Sequence, residues 1–411
     1  MKILIATSNR HIVGGIETYL QVLIPALLKR GHQVAMLYDH SAGDGATVDP
    51  VEAELPLWNS AALDQQPELW REVLAWKPDA VYSHGLLSQE TDKILHQNYP
   101  VAMFAHGYWG TCATGQKCHT FPSVQPCERT FGPMCLLLHY PRRCGGLNPK
   151  VAWKLFQFEK ARNARLVEHR AVLAASHHMY TELQKHGVDP GKLHLVRLPL
   201  TVSGLPTPPL RKAPRGRLLF VGRLTALKGA DFLVRAIPEA ERKLGCGLTL
   251  TVAGDGRDLE AVRSLAARTG IAAEFPGWVN TSQKLALMRA SDLLVVPSLW
   301  PEPFGMVGIE AGSNGLPAAG FAVGGIPDWL VPGRSGELAP GDPPTVQGLA
   351  DAIARALRDP EHYYSLCQGA WQLSRQFSLE SHIVHLEAIL AGCAQTVEAL
   401  AGVAGNGDDL V

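Results

Sequence analysis

In the stretch SLWPEPFGMVGIEAGSNGLP, Ser298 to Pro317, Glu302 and Glu310 stand on either side of a Pro-Phe-Gly turn and a short apolar segment. Alone they read equally as a surface loop and a buried helix with an incidental acid at each end. Upstream residues bear on that choice. LLFVGRLTALKGADFL places Arg223 and Lys228 just past a strand and ahead of a helix, where open α/β sheets bind ligands. Two cations there would neutralise a diphosphate; otherwise they belong to a solvated basic loop. Gly14 and Gly15 close the first strand-to-helix turn, and a helix N-terminus approached that closely favours a phosphate. The pattern is not GxGxxG, so a plain tight turn fits equally. In VAGDGRDLEAV, Gly254, Asp255 and Gly256 form ordinary Asp-Gly turn chemistry. FPGWVNTSQKL offers Gly277, Trp278 and Val279 at a strand end, where backbone could read a base edge or Trp278 could be buried packing.

These residues need a scaffold that brings strand ends together. Short apolar runs, KILIA, AVYSH, VAMFAHG, VLAAS and LHLVRLP, alternate with longer amphipathic segments such as IETYLQVLIPALLKRG. Runs apolar throughout predict strands buried on both faces, and the long crossovers predict βαβ units with a parallel sheet. The rhythm stops at LTVSGLPTPPLRKAPRGR, where proline and turn residues predict a linker over 201–216. It restarts with RLLFVGR, LTLTVAG, AAEFPG, DLLVVPS and LPAAGF as strands, and GADFLVRAIPEAERKLG and SQKLALMRAS as helices. The fold class is therefore α/β, with two doubly wound Rossmann-like domains, 1–200 and 217–375, facing across a cleft. A helix over 376–398 follows, with packing back on the N-terminal domain as one option, and then a disordered tail over 399–411. A length of 411 residues exceeds one hydrophobic core, in keeping with two domains. The 38 basic and 38 acidic side chains give zero formal net charge, which argues against nucleic acid as a partner. No apolar run reaches the roughly 18–20 residues of a membrane span, so the expected location is cytoplasmic or peripheral to a membrane.

In order along the chain, Val221-Gly222-Arg223, Lys228-Gly229, Gly254-Asp255-Gly256, Glu302-Pro303-Phe304-Gly305 with Glu310, and Gly324-Gly325-Ile326-Pro327-Asp328 resemble the donor-binding domain of family 4 retaining glycosyltransferases of the two-Rossmann, GT-B type. Gly14-Gly15, His106-Gly107 and Ser176 fit the acceptor-side domain of the same family. The resemblance implies transfer of a sugar from a nucleotide-sugar, a UDP-sugar by expectation, to a hydroxyl acceptor, with no cofactor required. It implies that Glu310 accepts from both ribose hydroxyls, and that Glu302 faces the donor sugar. Backbone of Phe304, Gly305 and Met306 would hold sugar hydroxyls and phosphate at the helix start. Arg223 and Lys228 would stabilise the departing diphosphate, helped by Gly14 and Gly15. His106 would contact the sugar near the reacting centre, against the alternative of a turn histidine satisfied by backbone. Gly222, Gly254 and Val279 complete the implied donor set. The sequence departs from the family at Arg197-Leu198-Pro199-Leu200 and in AGSNGLPAAG, which leaves the base open between uridine and guanosine. Rival functions are a nucleotide-sugar epimerase on the same scaffold and a non-catalytic nucleotide-sugar-binding subunit.

Five of the eight cysteines, Cys112, Cys118, Cys127, Cys135 and Cys144, crowd an insertion at about 108–148. Such a turn-rich segment has little core of its own and gains from staples. Three arrangements are open: a structural zinc or Fe–S site held by four of the five with His119 or His139 as substitutes, disulfides, or free thiols. Next, RRCGGLNPKVAWKLFQFEKARNARLVEHR interleaves Arg142, Arg143, Lys150, Lys154, Lys160, Arg162 and Arg165 with Trp153, Leu155, Phe156 and Phe158. It reads either as a helix with a core stripe and a solvated face, or as a basic amphipathic helix on an anionic membrane, which would suit a lipid-linked acceptor.

Overall fold

The computed structural model describes residues 1–12, 14–40, 55–202, 204–208 and 213–405. The first half contains strands β1 (Lys2–Asn9), β2 (Gln33–His40), β3 (Leu57–Asn59), β4 (Ala80–Ser83), β5 (Val101–Ala105), β6 (Cys118–His119), β7 (Gln125–Pro126), β8 (Ala171–Ala174) and β9 (Leu193–Leu195). Seven of these make one sheet in the order β3-β2-β1-β4-β5-β8-β9, while β6 and β7 pair separately as a short antiparallel ladder. Its helices are α1 (Gly15–Lys29), α2 (Ser60–Gln65), α3 (Trp70–Trp76), α4 (Gln89–Asn98), α5 (Met134–His139), α6 (Pro149–Arg165) and α7 (His177–Lys185).

The second half contains β10 (Arg217–Val221), β11 (Thr249–Ala253), β12 (Ala272–Gly277), β13 (Leu293–Val296), β14 (Ala318–Phe321) and β15 (Gly336–Ala339). They form a six-stranded sheet in the order β12-β11-β10-β13-β14-β15. Both large sheets are parallel throughout. Crossovers therefore cover both faces, which is why central strands such as β4, β5 and β13 are buried at every residue. β12 alternates exposed and half-buried residues and carries Pro276, both tolerable because it is an edge strand. The helices here are α8 (Ala230–Leu244), α9 (Leu259–Thr269), α10 (Thr281–Ala290), α11 (Met306–Ser313), α12 (Val346–Arg358), α13 (Pro360–Ser374) and α14 (Leu379–Gly405).

The strand order reverses between β1 and β4 and again between β10 and β13. At those switch points loops diverge from the carboxyl ends of the strands and leave a crevice. α14 crosses back onto the first half: Arg30 pairs with Glu387 and Glu380 at 2.7 and 2.9 Å, and Leu386 and Leu390 are fully buried. It runs to Gly405, past residue 398 where the sequence pattern ends it. Of the tail, residues 406–411 lie outside the described residues, as do 203 and 209–212 of the expected linker.

Candidate functional site

Two adjoining cavities, of about 450 and 410 Å³, open where the switch points of the two sheets face each other. Gly15, Val221, Gly222, Arg223, Lys284, Met306 and Glu310 line both. The larger adds His106, Trp109, Lys228, Ser298, Glu302, Phe304 and Gly305. The smaller adds Thr18, Thr201, Gly254, Asp255, Trp278 and Val279. Most of the residues singled out from sequence thus meet in one cleft.

Backbone demands put the cations there. β10 is followed by Gly222, and a 3-10 turn over Ala226–Lys228 finishes at Gly229 with φ 65°. A Cβ on Gly229 would lie 2.0 Å from the Pro297 carbonyl, so only glycine lets this turn press against the end of β13. That approach brings Lys228 Nζ within 2.5 Å of Glu302 Oε1, which also accepts from Ser298 Oγ at 2.7 Å. Burial would raise the Glu302 carboxyl, but the charge and hydrogen bond of Lys228 and the Ser298 bond prevail and hold it below its usual range. Glu310, on α11, is paired in the same manner: Lys284 Nζ from α10 lies 2.7 Å from Oε2, and Thr201 Oγ1 donates to Oε1 at 3.3 Å. Each of the two acids has its own lysine. Arg223 stands exposed at the cavity rim.

The loop between β13 and α11 has every carbonyl from 301 to 304 occupied. Pro301 O accepts from the Tyr108 hydroxyl at 2.5 Å, Glu302 O from Gly325 N at 2.6 Å, Pro303 O from Ser176 Oγ at 2.6 Å and Phe304 O from Trp329 Nε1 at 2.7 Å.

His106 follows β5, and its neighbour is another histidine rather than backbone. His84, in the same place after β4, presents Nδ1 to His106 Nε2 at 2.8 Å. His84 Nε2 is buried without a partner. A bare acceptor nitrogen is tolerated better than a bare N–H, which assigns the proton to His84 Nδ1 and makes His106 Nε2 the acceptor. His106 Nδ1–H is then left to meet a ligand. Burial, reinforced by His382, brings the His106 pKa down to about 3, so this is a neutral donor near pH 7. Beneath it, Tyr82 and Tyr19 hydroxyls lie 2.9 Å apart, and Tyr19 reaches His382 Nε2 of α14 at 2.7 Å. His382 Nδ1 donates to Arg197 O, so Nε2 accepts from Tyr19.

Gly14, Trp278 and the crowded cysteines bear on readings the sequence left open. Gly14 lines neither cavity, because its N–H donates to Glu17 Oε2 at 2.8 Å and closes a capping box; of the glycine pair only Gly15 faces the cleft. Trp278 is 76 % exposed and is not core packing. Cys112, Cys118, Cys127, Cys135 and Cys144 are free thiols, and among the described residues no group of three or more His, Cys, Asp or Glu is placed to hold a metal ion. The insertion is anchored otherwise: Lys117, 2 % exposed, pairs with buried Glu182, Phe131 N donates to His186 Nε2 at 2.9 Å, and Phe131 stacks on Phe156.

Lys284, Thr201, Trp109, Ser298, Tyr108 and His84 escaped the sequence reading. Lys284 sits in the short helix α10 with no local motif. For His84 a signal existed, since AVYSH and VAMFAH end neighbouring strands in the same residue.

The doubly wound halves and their cleft have close structural counterparts. HepE of Anabaena, solved in complex with UDP and glucose, aligns with a TM-score of 0.66 over 95 % of this chain and all of its own, at 18 % identity. That likeness defines the fold as GT-B. In sequence, the Glycosyltransferase Family 4 model matches residues 13–200 and the Glycosyl transferases group 1 model matches 208–370. Between them they span most of the chain, and it belongs to the family 4 glycosyltransferases. Among relatives, glycogen synthase of Mycobacterium tuberculosis is 27 % identical over 85 % of this chain and 84 % of its own. D-inositol 3-phosphate glycosyltransferase of Streptomyces avermitilis is 33 % identical over 48 % of this chain and 47 % of its own.

Proposed function

We propose that this glycosyltransferase takes its sugar from a nucleoside diphosphate donor, a UDP-sugar, and delivers it to a hydroxyl acceptor with retention of configuration. The observation that carries this is the meeting of Arg223, Lys228, Glu302 and Glu310 in one cleft beneath His106. In this reading the nucleoside occupies the smaller cavity, with its ribose diol on Glu310 and its base by Trp278 and the Val279 backbone, and the sugar lies between Glu302 and His106. As the C1–O bond to the diphosphate breaks, Arg223 and Lys228 offset the growing negative charge. The acceptor oxygen bonds to C1 on the same face, and its proton passes to the departing phosphate oxygen. No protein nucleophile is used. Neutral His106 donates Nδ1–H to the sugar, and Lys284 holds the Glu310 carboxylate in place.

A lipid-linked acceptor is favoured by the surface formed by the insertion and the start of α6. Leu137, Leu147, Val151 and Trp153 are 68, 74, 50 and 53 % exposed, beside exposed Arg143, Lys150 and Lys154. Between residues 101 and 158 Glu128 is the sole acid. Apolar and basic side chains mixed in this way suit an anionic membrane surface. Among the described residues no helix is long and apolar enough to cross one. The reaction is tested by following the anomeric proton of product or hydrolysed sugar by NMR: an α-linked UDP-sugar should yield the α-anomer first. Initial release of the β-anomer would overturn retention.

A further inference from the structure

The loop that carries Glu302 reads Trp300-Pro301-Glu302-Pro303-Phe304-Gly305, and its two prolines lack N–H groups. It therefore cannot satisfy its carbonyls from within and depends on outside donors. These donors alternate between the halves of the molecule. Tyr108 and Ser176, both fully buried, come from the first half and bind the carbonyls immediately before and after Glu302. Gly325 and Trp329, from the second half, take the other two. Other observations mark the same contact. His177, next to Ser176, donates through N and Nδ1 to Asp328 Oδ2 at 3.1 and 2.8 Å. A Cβ on Gly325 would lie 2.8 Å from Ser176 Cβ and 2.5 Å from Pro303 O, so this position admits the first half only as glycine.

We propose that Tyr108 and Ser176 are positioning residues for Glu302, which reaches its place beside Lys228 only while the first half grips the peptide on both sides of it. The donor-sugar carboxylate is then set by contact across the cleft rather than by its own domain. This rests on the reading of Glu302 as a donor-sugar contact. Ser176 Oγ also accepts from Met179 N as the cap of α7, so an alanine variant would confound two roles. Ser176→Asp separates them, since a carboxylate keeps the cap but cannot donate to Pro303 O. Tyr108→Phe removes one hydroxyl, and Gly325→Ala wedges the contact open.

All three should lower turnover by about tenfold to a hundredfold, the scale of a displaced catalytic group, with nucleoside diphosphate affinity held within about threefold. Ser176→Thr, which keeps both bonds, should restore turnover. Hydrogen exchange at the Glu302, Phe304 and Gly305 amides should quicken in the three variants while β13 stays protected. Turnover unchanged in folded Tyr108→Phe and Ser176→Asp, or affinity falling in step with turnover, would overturn the proposal. If the wild-type protein neither binds a nucleoside diphosphate nor transfers sugar, the functional reading fails on its own. Exchange at those amides then still decides the positioning claim: faster in the variants upholds it, unchanged refutes it.

Discussion

Arg223 and Lys228 serve the same leaving group but differ in what they touch, and their variants should separate accordingly. Each alanine substitution should cost about 2–4 kcal/mol of transition-state stabilisation, read as a fall in kcat/KM. Arg223 is exposed, so Arg223→Ala should leave the melting temperature unchanged. Lys228→Ala also strips a partner from Glu302, which is 7 % exposed, and should cost a further ~1–3 kcal/mol of folding stability. Equal melting curves for the two would contradict the pairing. Glu310→Ala should weaken nucleotide binding with little effect on saturated turnover, and an unchanged dissociation constant would remove its ribose role. These residues stood out in the sequence because each lies within a short motif that follows a strand. Lys284, Tyr108 and His84 were not, because each gains its meaning from a partner distant in the chain: 26, 193 and 22 residues away.

Four elements, α1, β4, β5 and α14, enclose the Tyr19, Tyr82, His84, His106 and His382 network, and their assembly should depend on pH. Burial lowers His106 to about 3 and His382 to about 4, and His84 well below the ordinary histidine value. The unfolded chain, titrating near 6.5, binds more protons than the folded one at any pH between these values. Stability should therefore be complete above about pH 7 and fall as pH drops from 6.5 towards 4, by about 1.4 kcal/mol per pH unit for each such histidine. Urea titrations at pH 7.5 and 5.0 check the sign, and a protein no less stable at pH 5.0 would refute the buried neutral assignment. At this scale the apolar runs predicted strands well, because parallel strands covered on both faces are apolar at nearly every residue. They missed the edge strands β3 and β15 and also the interior β2, whose apolar run is broken by Asp39 and flanked by polar Gln33 and His40. The pattern also left the seat of α14 open, since α14 is apolar on more than one side and its docking is fixed by partners far off in the chain, such as Arg30, His32 and Tyr19.

For the whole molecule, the sequence conveyed two doubly wound halves, a proline-rich break and a cleft, since alternation of strand and helix is a property of the entire chain. It could not convey that Tyr108 and Ser176 reach across that cleft, because proximity in sequence does not fix side-chain geometry. The exposed apolar and basic face of the insertion predicts binding to vesicles containing phosphatidylglycerol but not to phosphatidylcholine vesicles, weakened by salt and by Lys150→Glu with Trp153→Ser. Equal binding to both vesicle types, or none, would contradict the anionic-surface reading. The central claim concerns the cleft itself. Isothermal calorimetry of the purified protein against UDP, GDP and ADP, with no added metal ion, tests it most directly. Selective binding of UDP, lost in Glu310→Ala, is the result expected; no heat with any of the three nucleotides would contradict the nucleoside diphosphate site on which the account stands.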